Sequence, residues 1–366
     1  MLGHGVRAAG AAHLVPKLME LGIPVLTSWQ AKDLVDNDHP MYFGSPGIYG
    51  QRCANNVLHA ADEVLAIGNR LAIWKVGDEG SRADQKLYMV DLDEAEVRKF
   101  PHAQWVNKDC KTFLENLPRP LIPNYGIGEW LSQCRRWSSQ HPWLEDGTHD
   151  DTDGCINAYR FTAALQKYLA PDEHIVTDMG TALICAHQML HVKPPQRLMT
   201  SGGLGEMGCA LPAAIGTSFA RNKGRVLCLH CDGGMMLNLQ ELQTIVHHQL
   251  PIKIIVYRNE SYLMLRHTQN ASGFRESGIS PDTGVSFPNY RHLALAFGIS
   301  ASEVRTWEDF ERIIPSFLSC DGPGLVEYHM HPRQPLAPKL GYRMVGGKQA
   351  YAPFNEMTPA LGEVNG

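Results

Sequence analysis

Val226-Leu-Cys-Leu-His-Cys-Asp-Gly-Gly234 and Ile252-Lys-Ile-Ile-Val-Tyr-Arg-Asn-Glu-Ser261 are the two stretches on which the fold turns. Each is an apolar run that stops abruptly at polar or glycine residues. That is the pattern of a strand buried on both faces of a parallel sheet. Between them, Asn238–Leu250 carries apolar residues at helical spacing. Strand, helix and strand in this order form a crossover, right-handed almost without exception, with both strand ends at one edge. The Asp232 carboxylate and the Asn259 amide therefore meet at that edge, beside a Gly233-Gly234 turn with bare backbone N–H groups. Hard oxygen ligands next to such amides suit a Mg²⁺–diphosphate. A plain βα turn and a strand-end cap would read the same way over these residues alone, so the remainder of the chain has to decide.

Composition narrows the class. The chain has 366 residues, enough for two domains of ordinary size, with 44% hydrophobic and 19% charged residues. A formal charge of −5 gives no basic patch for nucleic acid. No apolar run approaches membrane-spanning length, and the Met-Leu-Gly-His-Gly start lacks the charged and apolar regions of a secretory signal. The nine cysteines are an odd number, mostly in apolar stretches, which suits buried thiols in a reducing cytoplasm. Cys228-Leu-His-Cys231 is formally a C-x-x-C. In a strand, however, residues three apart face opposite ways, and no second pair completes a zinc site.

Two α/β domains are expected. Residues 1–118 alternate helix (His4–Leu21), strand (Gly22–Thr27), helix (Asn55–Asp62), strands (Glu63–Gly68 and Lys86–Asp93) and helix (Asp109–Leu117). This is a Rossmann-like pattern with a parallel sheet, its first strand cut short before Gly3-His-Gly5. Residues 119–155 read as a linker with a helix near Trp130–Ser139 and an acidic, solvated stretch from His149. Residues 156–334 form a second doubly wound domain. Residues 335–366, rich in Pro and Gly with little periodicity, read as a tail that wraps or covers something.

Two further segments converge on the edge that carries Asp232. His174-Ile-Val-Thr-Asp-Met-Gly-Thr runs from a strand into a helix starting near Thr181, whose free N–H groups favour a phosphate. Thr200-Ser-Gly-Gly-Leu-Gly-Glu-Met-Gly lets backbone approach a flat ligand closely, with Met207 able to press on it. In this order the segments resemble thiamin-diphosphate (ThDP) enzymes of the acetohydroxyacid synthase, or acetolactate synthase, group. Ser201–Gly216, Asn238–Ile245 and Leu250-Pro-Ile-Lys253 are close to that group's pattern, and Gly3-His-Gly5, Gly22-Ile-Pro-Val25, Ala66-Ile-Gly-Asn-Arg70 and Val90-Asp-Leu-Asp93 resemble its central domain.

By matching position, the resemblance implies Mg²⁺ ligands at Asp232 and Asn259, with Ser261 binding through its carbonyl. It implies diphosphate contacts at Gly180, Thr181, Ala182, Gly233 and Gly234. Gly205 and Met207 would meet the aminopyrimidine; Tyr262 is a further candidate cofactor contact, and, apart from the matched motif, Tyr262, Met264 and His267 are candidates for the substrate wall. Departures accompany the match. Cys231 stands where the group has Gly, Gly234 where it has Ser, and Arg258 where it has Asn. Trp74 and Thr268 replace the arginine and tryptophan that select the second keto acid, which points away from true acetolactate synthesis. FAD, bound by the same central domain in those enzymes and lost in many relatives, is marked by no residue here.

The group's activating glutamate lies in an N-terminal pyrimidine domain that no segment resembles, so the catalytic group is expected on a partner chain. The expected function is thus one component of a 2-keto-acid decarboxylase or carboligase. The alternatives are a non-catalytic scaffold or regulatory paralogue, or a truncated gene product. A nucleotide-binding dehydrogenase lacks support, because no strand–G-x-G-x-x-G–helix unit with an acidic residue about 20 positions on is present.

Overall fold

The computed structural model describes residues 1–72, 84–117 and 127–360. Trp74 and the prolines at 118, 120 and 123 lie outside them. The chain divides into two compact units, residues 1–148, 191–194 and 337–366 in one, 149–190 and 195–336 in the other.

In the first unit, β1 (Glu63–Ile67), β2 (Lys86–Val90) and β3 (Gln104–Val106) form a parallel sheet in that order. Alternate residues of β1 and β2 are buried, and apolar layers cover both faces. One layer includes Val57, Leu58, Leu87 and Met89; the other includes Leu2, Val6, Ile67, Val90 and Leu114. Asp109 caps the helix Cys110–Glu115, its side chain accepting the Lys111 and Thr112 N–H groups.

Two expected elements of this unit are broken up. The helix over His4–Leu21 forms only as Gly5–Ala8, a 3₁₀ turn at Ala12–Leu14, and Val15–Met19. Gly10, at φ +68°, turns the backbone out of the helix, and Pro16 restarts it in the first turn. The strand over Gly22–Thr27 reduces to isolated parallel bridges, Val25 with Tyr42 and Thr27 with Leu2. Pro24 has no N–H to donate, and Gly22 sits at φ +69°.

Residues 337–360 also belong to this unit. Lys339–Leu340 pairs antiparallel with Met357–Thr358, and Tyr342–Val345 forms a hairpin with Lys348–Tyr351. Leu340, Phe354 and Met357 are buried in the same apolar layer as Leu87. The hairpin turn is Gly346-Gly347, with φ +57° and +78°, a local signal present in the sequence.

The second unit is a six-stranded, wholly parallel sheet. Its strands are β4 (His174–Thr177), β5 (Arg197–Thr200), β6 (Val226–Cys231), β7 (Ile252–Arg258), β8 (Ser300–Val304) and β9 (Gly324–His329), in the order β5-β4-β6-β7-β9-β8. Every residue of β6 is buried, as are the first six of β7, so their mostly apolar runs, interrupted by His230 and Lys253, reflect cover on both faces. The crossover helix between them is Glu241–His248, shorter than the apolar spacing suggests, and it ends at Gln249 with φ +51°. Val226, Cys228, Leu242, Ile245, Ile254 and Val256 build one layer. On Phe161, the Tyr328 ring stacks at 3.8 Å and the Tyr257 and Phe310 rings pack edge-on.

The stretch from His149 braces this unit. Asp150 pairs with Arg160, Asp151 accepts from the Trp307 indole at 2.7 Å, and Asp153 faces His331 at 3.2 Å. Among the described residues no helix is long and apolar enough to cross a membrane.

Candidate functional site

The strand order places the site. The chain leaves β4 toward β5 and returns on the other side of β4 as β6, so the connections after β4 and β6 diverge. A crevice opens at such a switch point, outside the carboxyl ends of the strands. Asp178-Met-Gly180 follows β4 and Asp232-Gly-Gly234 follows β6, so both line it.

The helix Thr181–Met189 begins at Gly180, whose φ of +122° is disfavoured for any residue with a Cβ. No side chain of Gly180 can cap it, and Thr181, Ala182 and Leu183 are all buried. A buried helix start with no side-chain cap leaves N–H groups to be satisfied by something else, and the helix dipole makes an anion the best partner. In this structure the Ala182 N–H reaches the Cys231 sulfur at 3.3 Å. Burial pushes the Cys231 thiol well up, so the sulfur is neutral at ordinary pH.

Asp232 is buried at the end of β6. Its Oδ1 accepts the Gly233 N–H at 3.0 Å, and Oδ2 accepts the Asn259 and Glu260 N–H groups at 3.0 and 2.7 Å. The strand ends are therefore joined through this carboxylate. Glu260 adopts φ +56°, a left-handed conformation that delivers its N–H to Oδ2. The Tyr290 hydroxyl donates to the Asp232 carbonyl at 2.5 Å. Burial raises the Asp232 carboxyl to about 7, while these N–H groups and the Arg258 charge hold it down. A carboxyl with so raised a pKa gains from a nearby cation. Asn259 Oδ1 accepts both the Ser261 N–H (2.9 Å) and its hydroxyl (2.7 Å), so ligation of a metal by Asn259 needs one of them released. Among the described residues no cluster of three or more His, Cys, Asp or Glu side chains is arranged to hold a metal. The donor set here is instead one carboxylate, one amide and a carbonyl, which fits Mg²⁺ when phosphate oxygens complete the shell.

The two glycines of the turn are each required by a neighbour. A Cβ on Gly233 would lie 2.2 Å from Cε1 of Tyr262, and one on Gly234 would lie 1.7 Å from Oδ2 of Asp178. In the loop after β5, Gly205 has φ +68° and Gly208 donates its N–H to Asp178 Oδ1 at 2.8 Å. Met207 is 39% exposed and Leu204 91%, so neither is absorbed into the core. On the far side, the Tyr262 ring meets Phe287, Met264 is half-buried, and His267 Nε2 contacts the Gln334 carbonyl. Thr268 is exposed.

Four residues of the site escape sequence reasoning. Asp178 and His230 are fully buried and face each other at 3.4 Å, with Asp178 Oδ2 and His230 Nε2 making no hydrogen bond. Burial pushes the Asp178 pKa up and the His230 pKa down, while each partner's charge pulls the other back. Arg258 pairs with buried Glu327 on β9. His230 and Glu327 are marked in the sequence only by polarity inside mostly apolar strands, Asp178 by its place just after β4, and Arg258 by its departure from the family pattern.

Fold and site define a doubly wound α/β protein whose topological switch point carries a buried, side-chain-uncapped helix start beside the Asp232-Gly233-Gly234 turn. Comparison with known proteins is more specific. Residues 178–328 match the thiamine pyrophosphate enzyme C-terminal TPP binding domain, and residues 1–117 match the thiamine pyrophosphate enzyme central domain. The acetolactate synthase isozyme 2 large subunit of Escherichia coli K12 is 30% identical over 331 residues, covering 89% of this chain and 58% of that protein. The acetolactate synthase large subunit of Porphyra purpurea is 32% identical over 336 residues, covering 89% and 55%. A probable acetolactate synthase large subunit of Methanococcus aeolicus is 27% identical over 354 residues, covering 92% and 58%. The chain belongs to the thiamine pyrophosphate (ThDP) enzymes, in their acetolactate synthase-like group. It spans little more than half the length of these relatives.

Proposed function

We propose that this chain is the component of a ThDP-dependent 2-keto-acid decarboxylase or carboligase that holds the cofactor's diphosphate and its Mg²⁺. The observation that carries the reading is the helix start after Gly180, buried at Thr181 and Ala182, uncapped by any side chain of its own and set beside Asp232-Gly233-Gly234 at the switch point. Gly180, Thr181, Ala182, Gly233 and Gly234 would offer backbone to the diphosphate. Asp232 and Asn259 would hold Mg²⁺ by side chain and Ser261 by its carbonyl. Gly205, Met207 and Tyr262 would flank the cofactor's rings. When bound, the cofactor supplies a thiazolium that stabilises a carbanion on the substrate, while the protein orients it and excludes water. The pyrimidine domain and its activating glutamate would come from a second chain.

A second reading, a non-catalytic scaffold for such an enzyme, is favoured by one observation: the Cys231 sulfur sits on the Ala182 N–H. Calorimetric titration with ThDP and Mg²⁺ separates the two. Saturable binding by the wild type, weakened at least about a hundredfold in Asp232→Ala, is expected for a cofactor-holding chain. A folded wild type that binds nothing would leave the scaffold. The divided site has its own check. Alone with ThDP and Mg²⁺ the chain should turn over 2-keto acids no faster than the cofactor itself, and a pyrimidine-domain chain should restore the rate. Turnover by the chain alone, on the order of 10 s⁻¹, would defeat the divided site.

A further inference from the structure

The Cys231 thiol lies where an anion at the start of the helix Thr181–Met189 would lie. Its Sγ takes the Ala182 N–H at 3.3 Å. It also stands 3.0 Å from where a Cβ on Gly180 would be, so it fills the concavity that the absent side chain of Gly180 leaves. Cys231 ends β6 and Gly180 follows β4, two strands paired directly, so the approach is set by the sheet rather than by a loose loop. The residue is buried, and its side chain faces away from Cys228, which belongs to the apolar layer on the other face.

A phosphate oxygen and this sulfur cannot both take the Ala182 N–H. The sulfur is a weak acceptor, whereas a hydrogen bond to a charged oxygen is considerably stronger. The anion therefore wins the amide, but only after the thiol has been moved within packed surroundings. We infer that Cys231 is a built-in occupant of the phosphate position, one that lowers this chain's affinity for a diphosphate and so sets how much cofactor it retains. The inference rests on the reading above that this helix start receives the diphosphate.

The test is calorimetric titration of the full chain with Mg²⁺–ThDP and, separately, Mg²⁺–pyrophosphate. Wild type, Cys231→Ala, Cys231→Gly, Cys231→Ser and Asp232→Ala are compared after circular dichroism confirms folding. Removing the sulfur in Cys231→Ala should tighten both ligands by about tenfold. Cys231→Gly should be at least as tight, and Cys231→Ser, which keeps an acceptor near the amide, should stay closer to wild type than Cys231→Ala. Because a residue that merely supports the fold would weaken binding when truncated, a gain is diagnostic. Equal or weaker binding by folded Cys231→Ala overturns the inference. If Asp232→Ala still loses binding in that case, the site itself stands. Absence of binding in every folded variant overturns both.

Discussion

Replacing Arg258 by alanine is expected to destabilise the second unit by about 3–5 kcal/mol. Glu327 is fully buried on β9, and Arg258 sits on β7 with its side chain 12% exposed. One guanidinium nitrogen pairs with Glu327 Oε1 and also donates to the Pro288 carbonyl at 3.2 Å. Another reaches Glu260 at 3.1 Å. Without the arginine, Glu327 keeps the Arg291 backbone N–H at 3.0 Å and no opposite charge. Breaking one side of a buried pair costs far more than the pair is worth, because the survivor is left desolvated. The paired replacement Arg258→Leu with Glu327→Leu should therefore cost markedly less than either single change. Urea unfolding of the second unit gives both quantities. A single-mutant cost under about 1 kcal/mol would place the pair among ordinary surface ion pairs.

Gly234→Ser is expected to destabilise by about 3 kcal/mol, although serine is the residue that the family resemblance places there. The Cβ would lie 1.7 Å from Asp178 Oδ2 and 3.2 Å from the His230 ring. Asp178 has little freedom to retreat: its Oδ1 accepts the Gly208 N–H at 2.8 Å, and it is fully buried. In the double variant Gly234→Ser with Asp178→Ser the overlap disappears, so the two changes should couple by about 1–3 kcal/mol. Additive costs in urea unfolding would mean that the Asp178 carboxylate is not what makes Gly234 necessary. In physical terms, His230, Asp178 and Gly234 form a single packing unit. A serine cannot be introduced at that position without changing the Asp178 carboxylate.

Periodicity carried most of the second unit. Short, mostly apolar runs bounded by turn residues fit strands covered on both faces, and β6 and β7 lie where those runs lie. The three loops also converge on one edge, because parallel crossovers bring every strand end to the same side. The first unit was less legible. A helical apolar pattern over His4–Leu21 says which face is buried but not that Gly10 and Pro16 cut the backbone into three pieces. The segment after Ala337 lacked periodicity because its strands are two to four residues long, too short to repeat a pattern.

The site divides the same way. Sequence by itself determined which residue types stand at the crevice: Asp232 and Asn259 at strand ends, glycines at Gly180, Gly233 and Gly234, and a helix beginning at Thr181. These follow from local chemistry, since the mostly apolar runs of β6 and β7 give way to Asp232-Gly233-Gly234 and to Asn259. Only the tertiary structure decided what each group faces. The Cys231 sulfur lies on the Ala182 N–H, Asp178 lies under Gly234, and Asn259 Oδ1 is turned to Ser261. These partners come from different strands, and the pairing of β4 with β6 and of β6 with β7 sets their distances. Contacts between residues remote in sequence depend on sheet order and side-chain rotamer, neither of which a local pattern encodes.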